Sequence, residues 1–400
     1  MIRTHVRTTI LAFLAALLWP TVPLPAQTPW PTTRWATATP REVGLNAAVL
    51  DSIDAEIRSG KYGYVDRLLV IRRGRLAYDR RYAQDYDRAY GDSARSGTVL
   101  RSHDRTGPYN YFSAWSHPYY RRGDLHTLQS VTKTITSMII GVATTRGEFP
   151  SLDTPVLSFF DTAGIANLDD RKRRMTIRHL LTMTAGMDWH ENRPYTDTSN
   201  TTVGLERSYD WVRFTLDRPM SDEPGARWVY NSGASQLLAQ IFHRATGMDV
   251  EEYAARHLFA PLGIRDWHWK RTPSGLADTQ GGLYLASEDV AKLWYLFAQN
   301  GRWEGRQVVS PEWVRLSVAP AIDTDGRPGG ASYGLKWWLY PNPTAPGRMM
   351  WAGSGFGGQV PILIPEDDLI VVVNQWNLFP GQPSLPVGPT LRRILSTADR

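Results

Sequence analysis

Four hundred residues with 42% hydrophobic and 21% charged side chains suffice for two domains or one large composite domain with a substantial core. The absence of cysteine excludes disulfides, thiol catalysis and cysteine-ligated metal, and a formal net charge of +6 is too mild to argue for a nucleic-acid partner. Sixteen Trp and eighteen Tyr bring polar edges that need partners when buried, which suits clefts and interfaces.

In chain order, Arg3, His5 and Arg7, an apolar run from position 10 to 19 and Leu24-Pro25-Ala26 before Gln27 form the pattern of a signal peptide over residues 1–26. A periplasmic or secreted location follows as the expectation. The run is too short for a membrane span and no lipid-attachment cysteine follows it, so no stable membrane insertion is expected after cleavage. Residues 27–44, rich in Pro and Thr, read as a tether. Ala47, Leu50, Ile53 and Ile57 predict an amphipathic helix over 46–58, and Leu68-Leu69-Val70-Ile71, Arg73-Gly74, Leu76-Ala77-Tyr78 predict a β-hairpin. Residues 84–125 show little periodicity but carry Tyr109, Tyr111, Phe112, Trp115, Tyr119 and Tyr120; a loop of this length and aromatic content is expected to pack over a functional cleft. The run Arg171-Lys172-Arg173-Arg174 reads as a solvated turn before a helix.

Helices are predicted over 176–183, 209–216, 232–246, 249–258 and 287–297, strands over 333–340, 348–352, 360–364 and 369–373, and a last helix over 391–395. Strands at both ends with helices between them predict an α/β protein of the α+β kind, its sheet assembled from both chain ends and flanked by helices, with a mainly helical unit inserted. The expected division is a sheet part at about 45–83 and 281–400 and a helical part at about 126–280.

Three segments carry chemistry. Ser130-Val131-Thr132-Lys133 is the single Ser-x-x-Lys of a chain that has six lysines against thirty-nine arginines. Ile135, Met138, Ile139 and Val142 follow at helical spacing, so Ser130 and Lys133 share a helix face. A serine is activated by a neighbouring base, and a lysine can be that base where burial and nearby cations favour its neutral form. The plain alternative is a capping serine with an exposed lysine. The second segment, 224–233, reads as a turn, an extended run and a helix start, with Tyr230 at a loop edge and Asn231 and Ser232 in capping positions. The third, 351–359, holds Gly353, Ser354 and Gly355 between two predicted strands. Gly353 to Gly358 also satisfies G-x-G-x-x-G, but it precedes a strand instead of opening a helix, which excludes a dinucleotide fingerprint. No H-E-x-x-H, G-x-S-x-G or P-loop pattern occurs. No cofactor or metal is expected.

Together, in this order, the text around Ser130 and Lys133, the stretch 176–186, the stretch 224–238 and the stretch 355–365 resemble the serine hydrolases related to class C β-lactamases and penicillin-binding proteins. Within them the chain is most similar to the branch of 6-aminohexanoate-dimer hydrolases and related esterases and amidases. The matches span about residues 45–375. The resemblance implies a β-lactamase/transpeptidase-like fold with an antiparallel sheet. It implies that Ser130 attacks a carbonyl, that Lys133 with Tyr230 moves its proton, and that the Ser130 N–H and an N–H of the Gly353–Gly355 segment form the oxyanion hole. Gln129, Ser232, Tyr111 and Trp115 are candidate substrate contacts, and the partner is a small-molecule amide or ester. The chain departs from the pattern at Ser232, where Asn is usual, and around Met350 to Ser354, where the β-lactam-recognising members carry a cation. That favours an esterase or amidase over a β-lactamase or D-alanyl-D-alanine carboxypeptidase; a non-catalytic binding relative is the remaining alternative. His179, inside a short helical pattern, reads as structural.

Overall fold

A computed structural model describes residues 29–96, 109–113, 117–195, 197–324, 326, 330–379, 381–396 and 398. The signal-peptide reading of 1–26 and the candidate Trp115 lie outside the described residues.

Eight strands form one antiparallel sheet: β1 Val65–Arg72, β2 Arg75–Arg81, β3 Ile322–Asp323, β4 Ser332–Tyr333, β5 Trp338–Pro341, β6 Met349–Ala352, β7 Val360–Ile364 and β8 Leu369–Gln375, in the spatial order β2-β1-β8-β7-β6-β5-β4-β3. Both chain ends build it, as the strand distribution predicts. The hairpin turn falls at Arg73-Gly74, both with positive φ (53° and 67°), the conformation that matches the twist of a two-residue connection. The stretch 333–340, predicted as one strand, is two: β4 and β5 are separated by a turn that contains Lys336 at φ 64°.

β1 and β8 are buried at every position because helices cover both faces. On one face Leu68, Val70, Val371 and Val373 meet Leu50, Ile53 and Ile57 of α1 (Ala47–Arg58) and Leu391, Ile394 and Leu395 of α6 (Val387–Leu395). On the other, Leu69, Ile71, Ile370 and Val372 belong to the main core with α3 (Val131–Thr145), α4 (Ser232–Thr246) and α5 (Ser287–Ala298). The helical unit between β2 and β3 also carries a small sheet of His126–Thr127, Leu283–Leu285 and His268–Trp269.

Three further expectations are corrected. The aperiodic stretch 84–125 contains α2, Tyr86–Ser96, whose tyrosines bury among Phe112, Trp376 and Leu378; its mean polarity masked that helix. Lys172 is not solvated: it is buried, with Nζ donating to the carbonyls of Ala166 (3.1 Å), Leu216 (2.7 Å) and Arg218 (2.8 Å). The described part of the predicted tether is packed. Thr37 bridges to Leu76, and Trp35, 5% exposed, donates its indole N–H to the Glu288 carbonyl and meets Tyr295 edge-on.

This last contact is testable. Trp35→Ala should lower stability by about 3 kcal/mol in urea unfolding, the usual cost of emptying a buried indole site; a tether would show no change.

Candidate active site

Leu128, Gln129 and Ser130 lead into α3 through a tight turn in which Gln129 has φ 49°. Ser130 stands at the N-cap, yet its hydroxyl makes no capping bond. Lys133, one turn on and 1% exposed, places Nζ 2.8 Å from Ser130 Oγ and 2.7 Å from the Gln280 carbonyl, donating to both. An ordinary capping serine with an exposed lysine is therefore excluded. The Gln280 carbonyl is itself positioned: Asp278 Oδ1 accepts the N–H of Gln280 (3.0 Å) and of Gly281 (2.9 Å).

The glycine segment runs along this helix start. A Cβ on Gly355 would lie 2.3 Å from the Leu128 carbonyl oxygen, so Gly355 is glycine because backbone meets backbone there, while one on Gly353 would press on the Val131 (3.1 Å) and Trp294 (3.2 Å) side chains. The N–H of Gly353 donates to Pro361 O (3.0 Å) and that of Gly355 to Gln359 O (2.8 Å). Neither is available to a substrate in this arrangement. The N–H groups of Ser130 and Ser354 have no acceptor among the described residues. Ser354 lines a groove on the α6 side of the sheet with Tyr340, Met350 and Ile362.

Tyr230 sits at the loop edge predicted for it. Lys133 Nζ lies 5.0 Å from its ring centroid, over the ring face, and Trp338 stacks on it at 5.9 Å. Tyr230 also lines a cleft of about 630 Å³ with Trp189, His190, Glu191, Arg227 and Trp228. Asn231 caps α4 by accepting the Ala234 N–H at 2.8 Å.

Two of the substrate-contact candidates point elsewhere. Ser232 is fully buried and donates its N–H (2.8 Å) and hydroxyl (2.6 Å) to Glu191, which also accepts from Trp189 (2.8 Å) and Tyr195 (2.9 Å). Tyr111 is buried and donates its hydroxyl to Glu206 at 2.6 Å, and neither it nor Tyr109 nor Phe112 lines the cleft. The hydroxyls turned inward because buried carboxylates, silent in a sequence pattern, offered the better partner. The Gln129 side chain donates to Thr127 at 3.0 Å. His179 is structural, as read: its Nδ1 accepts the Thr176 N–H (3.1 Å) in a capping box, and burial lowers its pKa.

Sequence reasoning missed Glu191, Gln280 and Lys336. The scarcity of lysine is the one signal that could have drawn attention to Lys336. It is buried with Nζ 3.2 Å from Met183 Sδ. No cluster of His, Asp and Glu able to hold a metal ion occurs among the described residues.

Behind Gln280 lies a buried charged group. Glu206 accepts from Tyr111 and from Gln280 Nε2 (3.1 Å), and Lys270 Nζ lies over the rings of Tyr109 (4.5 Å) and Tyr111 (5.2 Å) without a hydrogen-bond acceptor among the described residues. Burial pushes the Glu206 carboxyl from 4.5 up to about 7, against the pull of Tyr111 and Lys270. The folded state thus favours the protonated form. Its contribution is complete below the unfolded value near 4.5 and is lost as pH rises through about 7. Glu206→Gln should therefore flatten the fall in stability between those values, measured as urea midpoints from pH 4 to 8; parallel curves for the two proteins would contradict the assignment.

Comparison with known proteins agrees with this geometry. The Beta-lactamase family profile matches residues 66–395. Monacolin J acid methylbutanoyltransferase of Aspergillus terreus is 29% identical over 197 residues, 44% of this chain and 48% of that protein, so the match spans about half of that relative's length. The 6-aminohexanoate-dimer hydrolase of Paenarthrobacter ureafaciens is 25% identical over 281 residues, 64% of this chain and 69% of the relative. Among solved structures, simvastatin synthase of Aspergillus terreus superposes with a TM-score of 0.60 at 20% identity, covering 88% of this chain and 96% of that one, which establishes likeness of fold. A profile match over most of the chain, on an antiparallel sheet with a helical insertion and a paired serine and lysine at one helix start, makes this protein a member of the β-lactamase family.

Proposed function

We propose that the protein is an exported serine hydrolase that cleaves a small amide or ester through an acyl-enzyme on Ser130. The carrying observation is the 2.8 Å contact between Lys133 Nζ and an uncapped Ser130 Oγ. In acylation the Ser130 oxygen bonds to the substrate carbonyl carbon and its proton passes to the neutral Lys133 amine. The carbonyl oxygen takes the negative charge, facing the N–H groups of Ser130 and Ser354, which have no other acceptor among the described residues. The intermediate then collapses. The bond to the leaving amine or alcohol breaks, and Lys133 returns the proton to it, with Tyr230 at the cleft side of the transfer. Water repeats the sequence in reverse and frees the acid.

Tyr230 is the bridge between the reacting pair and the cleft. The cleft's walls mix the flat apolar faces of Trp189 and Trp228 with Glu191, His190 and Arg227. This lining favours a substrate with an apolar body and a polar end. Relatives named as a dimer hydrolase and as an acyltransferase support acyl transfer as the common step. No side chain of positions 350–355 is cationic, which counts against recognition of a β-lactam carboxylate in that segment. The reading of residues 1–26 as a signal peptide carries the export proposal.

The test is hydrolysis by the full chain of short p-nitrophenyl esters, 6-aminohexanoate dimer, D-alanyl-D-alanine peptides and a chromogenic cephalosporin. Turnover of esters or linear amides is expected, with kcat/KM falling about 10³-fold or more in Ser130→Ala and in Lys133→Arg, which keeps the charge but cannot act as a base. Turnover confined to the cephalosporin or the D-alanyl peptides, or activity that survives Ser130→Ala, overturns the proposal.

A further inference from the structure

The run Asp278-Thr279-Gln280-Gly281-Gly282 opens with a residue whose short side chain can bond the backbone just ahead of it and closes with two glycines, the composition of a tight turn. The structure makes that turn beside Lys133. Asp278 is fully buried, and its Oδ1 accepts two N–H groups, those of Gln280 (3.0 Å) and Gly281 (2.9 Å). Its Oδ2 lies 3.3 Å from the Tyr109 hydroxyl, which also faces Arg271 O at 3.0 Å. The Asp278 backbone is tied as well. Its N–H donates to Lys270 O (2.9 Å), and its carbonyl accepts the Gly282 N–H (3.0 Å) and the Trp269 indole N–H (2.7 Å). The turn closes so tightly that a Cβ on Gly282 would lie 2.6 Å from Asp278 Cβ and 2.8 Å from Asp278 O. The carbonyl that this turn presents to the chemistry is that of Gln280, 2.7 Å from Lys133 Nζ. A buried carboxylate is a costly way to hold a turn that Gly282 and Trp269 already pin.

What that carbonyl does follows from the valence of the amine. A neutral lysine nitrogen carries two N–H groups and one lone pair, and it turns about the Cε–Nζ bond unless something holds it. A carbonyl can only accept, so the Gln280 oxygen engages an N–H and never the lone pair. With that position fixed, one of the two remaining ones faces Ser130 Oγ at 2.8 Å, and the lone pair can occupy it. A displaced carbonyl would loosen the amine and reduce the share of time in which the lone pair meets the hydroxyl. We propose that Asp278 is a positioning residue for the reaction: its carboxylate, through two backbone N–H groups, holds the Gln280 carbonyl on Lys133 and so aims the base at Ser130. The hydrogen bonds of Asp278 reach neither Lys133 nor Ser130. It acts as an acceptor that fixes geometry, not through its charge. The inference rests on the reading of Lys133 as the base.

The test is steady-state kinetics on a p-nitrophenyl ester for wild type, Asp278→Asn, Asp278→Ala, Asp278→Ser and Gly282→Ala, with a thermal melt of each and Ser130→Ala and Lys133→Arg as controls. Asn keeps an oxygen for the two N–H groups and can donate to the Tyr109 oxygen, so it should retain kcat within about threefold. Ala removes the acceptor, and Gly282→Ala pushes a methyl group into the turn from the backbone side. Each should lower kcat about 10- to 100-fold with KM changed by less than about threefold. Ser, whose shorter side chain reaches one N–H, should fall between. Any of these three that folds suffices. A folded one with wild-type kcat overturns the inference. So does a loss in Asn as large as that in Ala, since Asp278 would then act through charge. If activity survives Ser130→Ala or Lys133→Arg, the reading of that pair has failed and takes this inference with it. If activity needs both but ignores the acceptor at 278, that reading stands and this inference falls alone.

Discussion

The active centre depends on one constraint: a lysine amine is sealed inside the protein with a hydroxyl and a backbone carbonyl as its hydrogen-bond acceptors. Lys133 Nζ touches Ser130 Oγ and Gln280 O, and no carboxylate reaches it among the described residues. A carboxylate in contact would stabilise the ammonium and remove the proposed base. Much of the local architecture follows from keeping that amine in place without one. The Asp278 turn aims the Gln280 carbonyl, and Thr132 Oγ1 accepts the Leu283 N–H at 3.2 Å, tying α3 to the strand beyond that turn. Glu206, Lys270 and Asp278, all buried, pack behind the turn, Glu206 accepting from Gln280 Nε2 and Asp278 from the Gln280 N–H.

The same constraint explains where the backbone is strained. Gln129, Met183 and Lys336 all have positive φ without being glycine, and they bracket the site from three separate segments. Gln129 turns the chain so that Ser130 opens α3 with its hydroxyl unspent. Met183 brings a sulfur against Asn231 at the foot of Tyr230. Lys336 brings a buried amine against the same sulfur, at 3.2 Å. Each costs about 1 kcal/mol or more, and each persists because the surrounding sheet and helices over-determine it. The close approach of the Gly355 backbone to the Leu128 carbonyl is the complementary device, with side-chain volume removed where two backbones must meet.

The parts legible in the sequence are those that depend on spacing. Ser130 and Lys133 three residues apart before an apolar helix, the hairpin at Arg73-Gly74, the capping Asn231 and the strands at both chain ends were readable because period and turn chemistry act over short range. Ser232, Tyr111 and Lys336 were not, because the direction of a polar side chain depends on which buried partner the tertiary fold supplies. Ser232 turned to Glu191, 41 residues away, and Tyr111 to Glu206, 95 residues away. The buried Lys172 within a basic run teaches the same lesson: three carbonyls, two of them from the distant segment 216–218, outweighed what its neighbours in sequence suggested. The packed Trp35 shows that composition rich in Pro and Thr does not exclude docking when one large aromatic can anchor the stretch.

On the proposed mechanism, the outcome of the reaction depends on what reaches the acyl group after the leaving group departs. The Ser130–Lys133 pair treats water, an alcohol or an amine alike, since each needs only a proton acceptor at the same point. Discrimination must therefore come from occupancy of the space in front of Tyr230. The cleft there is wide, about 630 Å³, and its aromatic walls can hold an organic nucleophile as readily as a leaving group, because by microscopic reversibility the two occupy one place. A relative named for dimer hydrolysis and another named for acyl transfer are then not in conflict as neighbours of one chain. The shared chemistry is acylation of a serine, and the residues that would divide the two fates are those of the cleft, Trp189, Glu191, Trp228 and Tyr230, rather than the serine and its lysine.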